Sequence, residues 1–216
     1  MLIVIEGLDG VGKTTQFELL QNELDSCRFI TFPYYNTPSG EIIKNYLSGS
    51  YNESDKSISA YSASCFYAVD RYTSFKTDWQ ADFDANKPII SARYVSSNAI
   101  YQMTKLEKNE WDGYLEWLFD LEYKKFSLPK PTATIFLDMP VEISQKLLSK
   151  RYNGDEQKKD IHEADIEFMK KCREAALYVA KKEKWIIIEC SDNDELKSIE
   201  EIHKILREKI EGILNA

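Results

Sequence analysis

The residues Gly7-Leu8-Asp9-Gly10-Val11-Gly12-Lys13-Thr14 constrain this chain more than any others. They fit the pattern G-x4-G-K-[ST]. An apolar run ends just before them at Ile5, and an amphipathic stretch follows in which Phe17, Leu20 and Leu24 share one face. The order is therefore strand, loop, helix. Glycines let the backbone curl until successive N–H groups point inward at phosphate oxygens, in a cradle running from Gly7 through Thr15. Lys13 adds a cation at the β/γ-phosphates, and the Thr14 hydroxyl suits Mg²⁺. The helix opening near Lys13 presents its positive dipole end to the same phosphates. This implies a nucleoside triphosphate with Mg²⁺ and leaves the reaction open.

The rest of the chain repeats the alternation. Short β-branched or aromatic runs lie at Leu2 to Ile5, Phe29 to Phe32, Ile89 to Ser91, Thr134 to Leu137 and Trp185 to Ile188. Each is apolar on both faces, as strands buried in a parallel sheet are. Helical patterns separate them, the last lined by Ile199, Ile202, Leu206, Ile210 and Ile213. The expectation is an α/β, three-layer phosphate-loop NTPase fold, a five-stranded parallel sheet flanked by helices, as one domain over residues 1–216. Phe32-Pro33, Lys87-Pro88 and Leu128-Pro129-Lys130-Pro131 fall between elements, as breakers should. Residues 149–162 are polar and charged between two helical patterns, which suits either a solvated loop or a lid over a ligand.

Composition removes several classes. Lys and Arg number 28 against 36 Asp and Glu, a formal charge of −8. A surface of that sign does not grip a nucleic-acid polymer or an anionic membrane. No apolar run approaches the roughly 20 residues of a membrane helix. Met1 to Ile5 lacks a basic leader and breaks at Glu6, so no secretory signal is expected. Cys27, Cys65, Cys172 and Cys190 are far apart with no CxxC, which predicts reduced thiols and a cytoplasmic setting. His162 and His203 are read as surface residues.

A small phosphate-loop enzyme needs its second substrate pocket in the same chain, at the C-terminal ends of the strands. Phe32-Pro33-Tyr34-Tyr35 follows the second strand. In a helical stretch from about Ile58 to Asp84, Tyr67 and Arg71 are four apart and share a face, so they can stack on a flat base and donate to its edge. Arg93 closes the third strand, where it can clamp phosphoryl oxygens, and Ser97, Asn98 and Tyr101 follow on one helical face.

With these residues in view, the chain resembles the thymidylate kinases nearly end to end. The likeness is carried by Ile5-Glu6-Gly7-Leu8-Asp9-Gly10 with Gly12-Lys13-Thr14-Thr15-Gln16, Phe32-Pro33 with Thr37 and Gly40, Tyr67-Ala68-Val69-Asp70-Arg71, Arg93-Tyr94 with Ser97-Asn98-Ala99 and Tyr101, Leu128-Pro129-Lys130-Pro131, and Phe136-Leu137-Asp138-Met139-Pro140. The resemblance implies transfer of the ATP γ-phosphoryl group to dTMP, with Mg²⁺, in a homodimer. It implies dTMP contacts for Asp9, Phe32, Tyr35, Tyr67, Arg71, Arg93, Asn98 and Tyr101, and a catalytic group of Lys13, Arg93, Asp9 and a lid cation. Lys150 and Arg151 open the lid, and Arg151 is the expected cation. Two departures stand out. Ala92 occupies the place of an aspartate that helps organise Mg²⁺, which keeps open a nucleotide-binding relative without phosphotransfer; a kinase for another acceptor is the other alternative. Gly10 stands where some relatives carry a catalytic arginine, and Ile161 where bacterial relatives often have one in the lid.

Overall fold

The computed structural model describes residues 1–51, 58–151, 165–192 and 195–215. Its centre is a five-stranded sheet of β1 (Leu2–Gly7), β2 (Arg28–Thr31), β3 (Ile89–Ala92), β4 (Ala133–Asp138) and β5 (Ile186–Glu189) in the order β2-β3-β1-β4-β5. All four pairings are parallel. Each apolar run is a strand, as its composition predicts, with ends displaced by a residue or two.

The two-faced apolar pattern has a direct outcome. Ile3 and Ile5 of β1 pack with helices α1 (Lys13–Glu23) and α9 (Ile199–Leu214) on one side; Leu2 and Val4 pack with α3 (Ala60–Ser74) and α6 (Trp111–Phe119) on the other. Burying apolar surface on both faces of the middle strands fixes the three layers. The edge strands β2 and β5 are only partly buried.

Further helices connect the strands. They are α2 (Pro38–Leu47), α4 (Gln80–Asp84), α5 (Val95–Tyr101), α7 (Val141–Arg151) and α8 (Ile166–Lys182). The helical stretch expected from Ile58 to Asp84 is α3 and α4 joined through a π-helical segment, Phe75–Trp79. A second π-helical segment, Asp120–Lys125, extends α6. Beyond β5 a small antiparallel pair, β6 (Ser191–Asp192) and β7 (Glu195–Leu196), precedes α9. No helix among the described residues is long and apolar enough to cross a membrane.

Strand order reverses about β1, whose neighbours are β3 and β4. That reversal opens a crevice at the C-terminal ends of the strands, where Gly7, Phe32 and Arg93 emerge.

Candidate active site

The phosphate loop leaves β1 at Gly7 and enters α1 at Lys13. Gly10 (φ 82°) and Gly12 (φ 84°) take the left-handed conformation that turns the loop back on itself. At Gly10 a Cβ would also lie 2.7 Å from Leu148 and 2.8 Å from the Ser144 carbonyl of α7, so no side chain fits where some relatives place an arginine. Lys13 Nζ donates to the Gly7 and Leu8 carbonyls, 2.7 Å each, and so stands across the loop.

Arg93 sits just past β3 with φ 66°, an uncommon backbone for arginine. Its amide donates to the Ile5 carbonyl at 3.1 Å, and the Ser91 hydroxyl donates to its carbonyl at 2.6 Å. Its guanidinium pairs with Asp9 and lies 5.2 Å from the centroid of the Tyr101 ring. The Tyr101 hydroxyl donates to the other Asp9 oxygen at 3.1 Å. Burial by itself favours the protonated form of Asp9, but the charges of Arg93 and Lys13 outweigh it and hold its pKa below the ordinary value. Asp9 is therefore a carboxylate at neutral pH.

Two cavities meet at this pair. One, of about 210 Å³, is walled by Phe32, Tyr35, Tyr67, Arg71, Asn98 and Tyr101. The other, of about 790 Å³, follows the phosphate loop from Gly10 through Thr15 and runs on to Lys197 and Ile199. Asp9 and Arg93 line both. In the smaller cavity Phe32 is buried, Tyr35 is 41% exposed at the mouth, and the Tyr67 ring stands edge-on to Tyr46 with centroids 6.3 Å apart. Arg71 is fully buried; burial lowers its pKa, yet the Glu122 carboxylate outweighs that and the net shift is upward. Thr14 and Ala92 both line the larger cavity. Among the described residues no group of three or more His, Cys, Asp or Glu could hold a metal ion.

A family model for thymidylate kinase matches residues 5–204. The chain belongs to the thymidylate kinase family. The thymidylate kinase of a Sulfurihydrogenibium species is 33% identical over 94% of this chain and 93% of that protein. That of Mycobacterium tuberculosis is 30% identical over 82% of this chain and 84% of its own length. Among solved structures, thymidylate kinase from Candida albicans matches with a TM-score of 0.71 and 27% identity, covering 99% of this chain and 92% of that one.

As a thymidylate kinase family member, the chain brings every residue expected at the acceptor pocket to one cavity. Three details differ from the sequence reading. Arg71, read only as a donor to a base edge, is also enclosed in an ion pair with Glu122. Ser97 lines the cavity, but its hydroxyl is spent on Glu6 at 2.8 Å. His203 is no lone surface residue: it bridges Gln16 at 3.1 Å and Glu23 at 3.0 Å and so ties α9 to α1. The lid expected at 149–162 falls largely outside the described residues, including Lys158, Lys159, Ile161 and His162; Lys150 and Arg151 end α7, with side chains also outside the description.

Gln102 and Glu122 are residues that sequence reasoning missed. Gln102 lines the smaller cavity four residues after Asn98, a spacing that places both on one helix face and was readable. Glu122 had no signal, because a carboxylate after an apolar stripe reads as a solvated residue.

Proposed function

We propose that this protein transfers the γ-phosphoryl group of ATP to dTMP, giving ADP and dTDP for dTTP supply. The carrying observation is that Asp9 and Arg93 line both the phosphate-loop cavity and the aromatic-walled cavity. A donor in the first and an acceptor in the second would meet over one carboxylate and one guanidinium.

In this reading the phosphate loop holds ATP, while Tyr67 and Phe32 flank the thymine. Arg71 and Asn98 face its polar edge, and Tyr35, Asp9 and Tyr101 border the sugar and monophosphate. A phosphate oxygen of dTMP attacks the γ-phosphorus in line, and the bond to the β-phosphate oxygen breaks with its electrons leaving on ADP. The nucleophile is already anionic, so no general base is needed. Catalysis is positioning plus charge stabilisation by Lys13 and Arg93, with Arg151 assigned as the lid cation.

The donor set fits Mg²⁺ brought in with the triphosphate. The exposed Thr14 hydroxyl opens α1 and lines the phosphate-loop cavity, the ionised Asp9 shares that cavity, and Ala92 contributes only a methyl. Mg²⁺ commonly keeps several waters and needs one or two protein oxygens beside substrate phosphates. When bound it supplies neutralisation of the β- and γ-oxygens.

The working form in this reading is a cytoplasmic homodimer. α3 carries an outward stripe of Tyr61, Cys65, Val69 and Tyr72, all exposed in the single chain. Coupled ADP release with Mg-ATP and a panel of nucleosides and monophosphates tests the activity. dTMP-dependent turnover is expected. Turnover confined to unphosphorylated nucleosides, or tight nucleotide binding with no dTMP-dependent turnover, overturns it.

A further inference from the structure

Glu122 is fully buried in the π-helical segment after α6 and does not line the acceptor cavity, yet it governs two residues that do. Arg71 donates to it twice, Nε to Oε2 and Nη2 to Oε1, at 2.6 Å each. Asn98 Nδ2 donates to Oε1 at 3.3 Å and to the Ser64 carbonyl at 3.2 Å.

Both partners of Asn98 are acceptors with no proton to give. They therefore decide which way round the amide stands: Nδ2 turns to Glu122 and Ser64, and Oδ1 is left as an acceptor for the cavity. Arg71 Nη1 donates to the Tyr94 carbonyl at 3.3 Å. With Nε and one hydrogen of each terminal nitrogen so used, the second hydrogens of Nη1 and Nη2 are the donors left at the same wall.

We propose that Glu122 is a positioning residue for base selection, holding Arg71 as donor and Asn98 as acceptor so that the cavity takes 4-oxo pyrimidine monophosphates and refuses 4-amino ones. This rests on the dTMP kinase reading above. Thymine offers an acceptor at O4 and a donor at N3–H, complementary to that pair. Cytosine offers a donor amino group and a bare N3, so both positions clash in polarity. Unpaired buried polar groups are what make such rejection strong. A carboxylate that only neutralised Arg71 would support the fold without setting the order of substrates.

The test is kcat/KM for dTMP, dUMP and dCMP in the parent and in Glu122→Gln. An amide at 122 cannot accept from both Arg71 nitrogens: its NH₂ opposes an Arg71 N–H in either orientation and, at the Oε1 position, also opposes the Asn98 NH₂, leaving only Ser64 to orient Asn98. The dTMP-to-dCMP ratio should fall at least tenfold, mostly through KM. The dUMP-to-dTMP ratio should stay within about twofold, because uracil shows the same edge. An unchanged dTMP-to-dCMP ratio in a folded Glu122→Gln protein overturns the proposal. If that variant does not fold, Glu122→Asp decides: it keeps the charge but is one methylene short of spanning Arg71 and Asn98 together, so the ratio should drop at least threefold, and a parental ratio overturns the proposal. Parent protein that turns over no dTMP would instead sink the underlying reading.

Discussion

Arg93 holds a left-handed backbone that arginine avoids, at a cost of roughly 1–3 kcal/mol, and the bonds from its amide to Ile5 and to its carbonyl from Ser91 keep it there. Such strain is tolerated where it aims a side chain, and here it sets the guanidinium on Asp9 between the two cavities. Arg93→Ala should therefore lower kcat by roughly 10²-fold or more while leaving the fold intact. A near-parental kcat in steady-state assays would remove Arg93 from the reaction centre. Tyr67 makes a different kind of claim, because a stack needs a ring and no hydroxyl. Tyr67→Ala should raise the KM for dTMP about tenfold and Tyr67→Phe should stay within about threefold of the parent. Equal damage from the two would point to the hydroxyl. Both residues were readable from the sequence, since a strand-end arginine and an i,i+4 aromatic–cation pair are local patterns. The buried partner of Arg71 was not, because nothing local to Glu122 distinguishes an enclosed carboxylate from a solvated one.

The loop between β2 and α2 shows how elements place those side chains. Thr37 caps α2 by accepting the Gly40 amide at 3.1 Å, and Asp70 of α3 accepts the Tyr34 amide at 2.9 Å and the Ser39 hydroxyl at 2.8 Å. The loop carrying Tyr35 is thereby fastened to the helix carrying Tyr67 and Arg71. Gly40 is the tightest point: a Cβ there would lie 2.0 Å from the Tyr34 carbonyl oxygen and 2.7 Å from Tyr35 Cα. Gly40→Ala must push the loop away. It should cost about 1–3 kcal/mol in denaturant unfolding and raise the KM for dTMP more than the KM for ATP. A parental KM for dTMP would show that the loop does not shape the acceptor cavity. At this scale the strands were legible because each is a short β-branched run between breakers. α2 was not, because Pro38-Ser39-Gly40 reads as a turn when its cap is unseen. α6 had its signal in Trp111, Tyr114, Leu115 and Leu118 at helical spacing, but the π-helical segments had none, since they arise from packing of neighbouring elements and not from a sequence period.

For the whole molecule, charge and shape act on separate partners. The chain is −8 overall, and its sequence is unevenly charged: residues 142–184 hold 11 Lys and Arg against 9 Asp and Glu. A net negative charge disfavours a nucleic-acid polymer and does not bear on a mononucleotide held by a few well-placed cations. The outer face of α3 asks for something else. Tyr61, Val69 and Tyr72 are 37–38% exposed and, with Cys65, follow one helical stripe roughly 100° around α3 from Arg71 and Ser64, with Tyr61 also packed on Trp117 and Tyr72 on Phe126. A self-complementary apolar stripe on one helix is what a two-fold pairing of identical chains needs. Such pairing would brace the helix that carries Tyr67 and Arg71 without covering either cavity. The protein should then sediment as a dimer at tens of micromolar, and Val69→Asp, which puts a charge into the stripe of each copy, should shift it to monomer and raise the KM for dTMP severalfold as α3 loses its brace. A parent that sediments as a monomer, or a Val69→Asp protein that remains dimeric, would move the interface off α3.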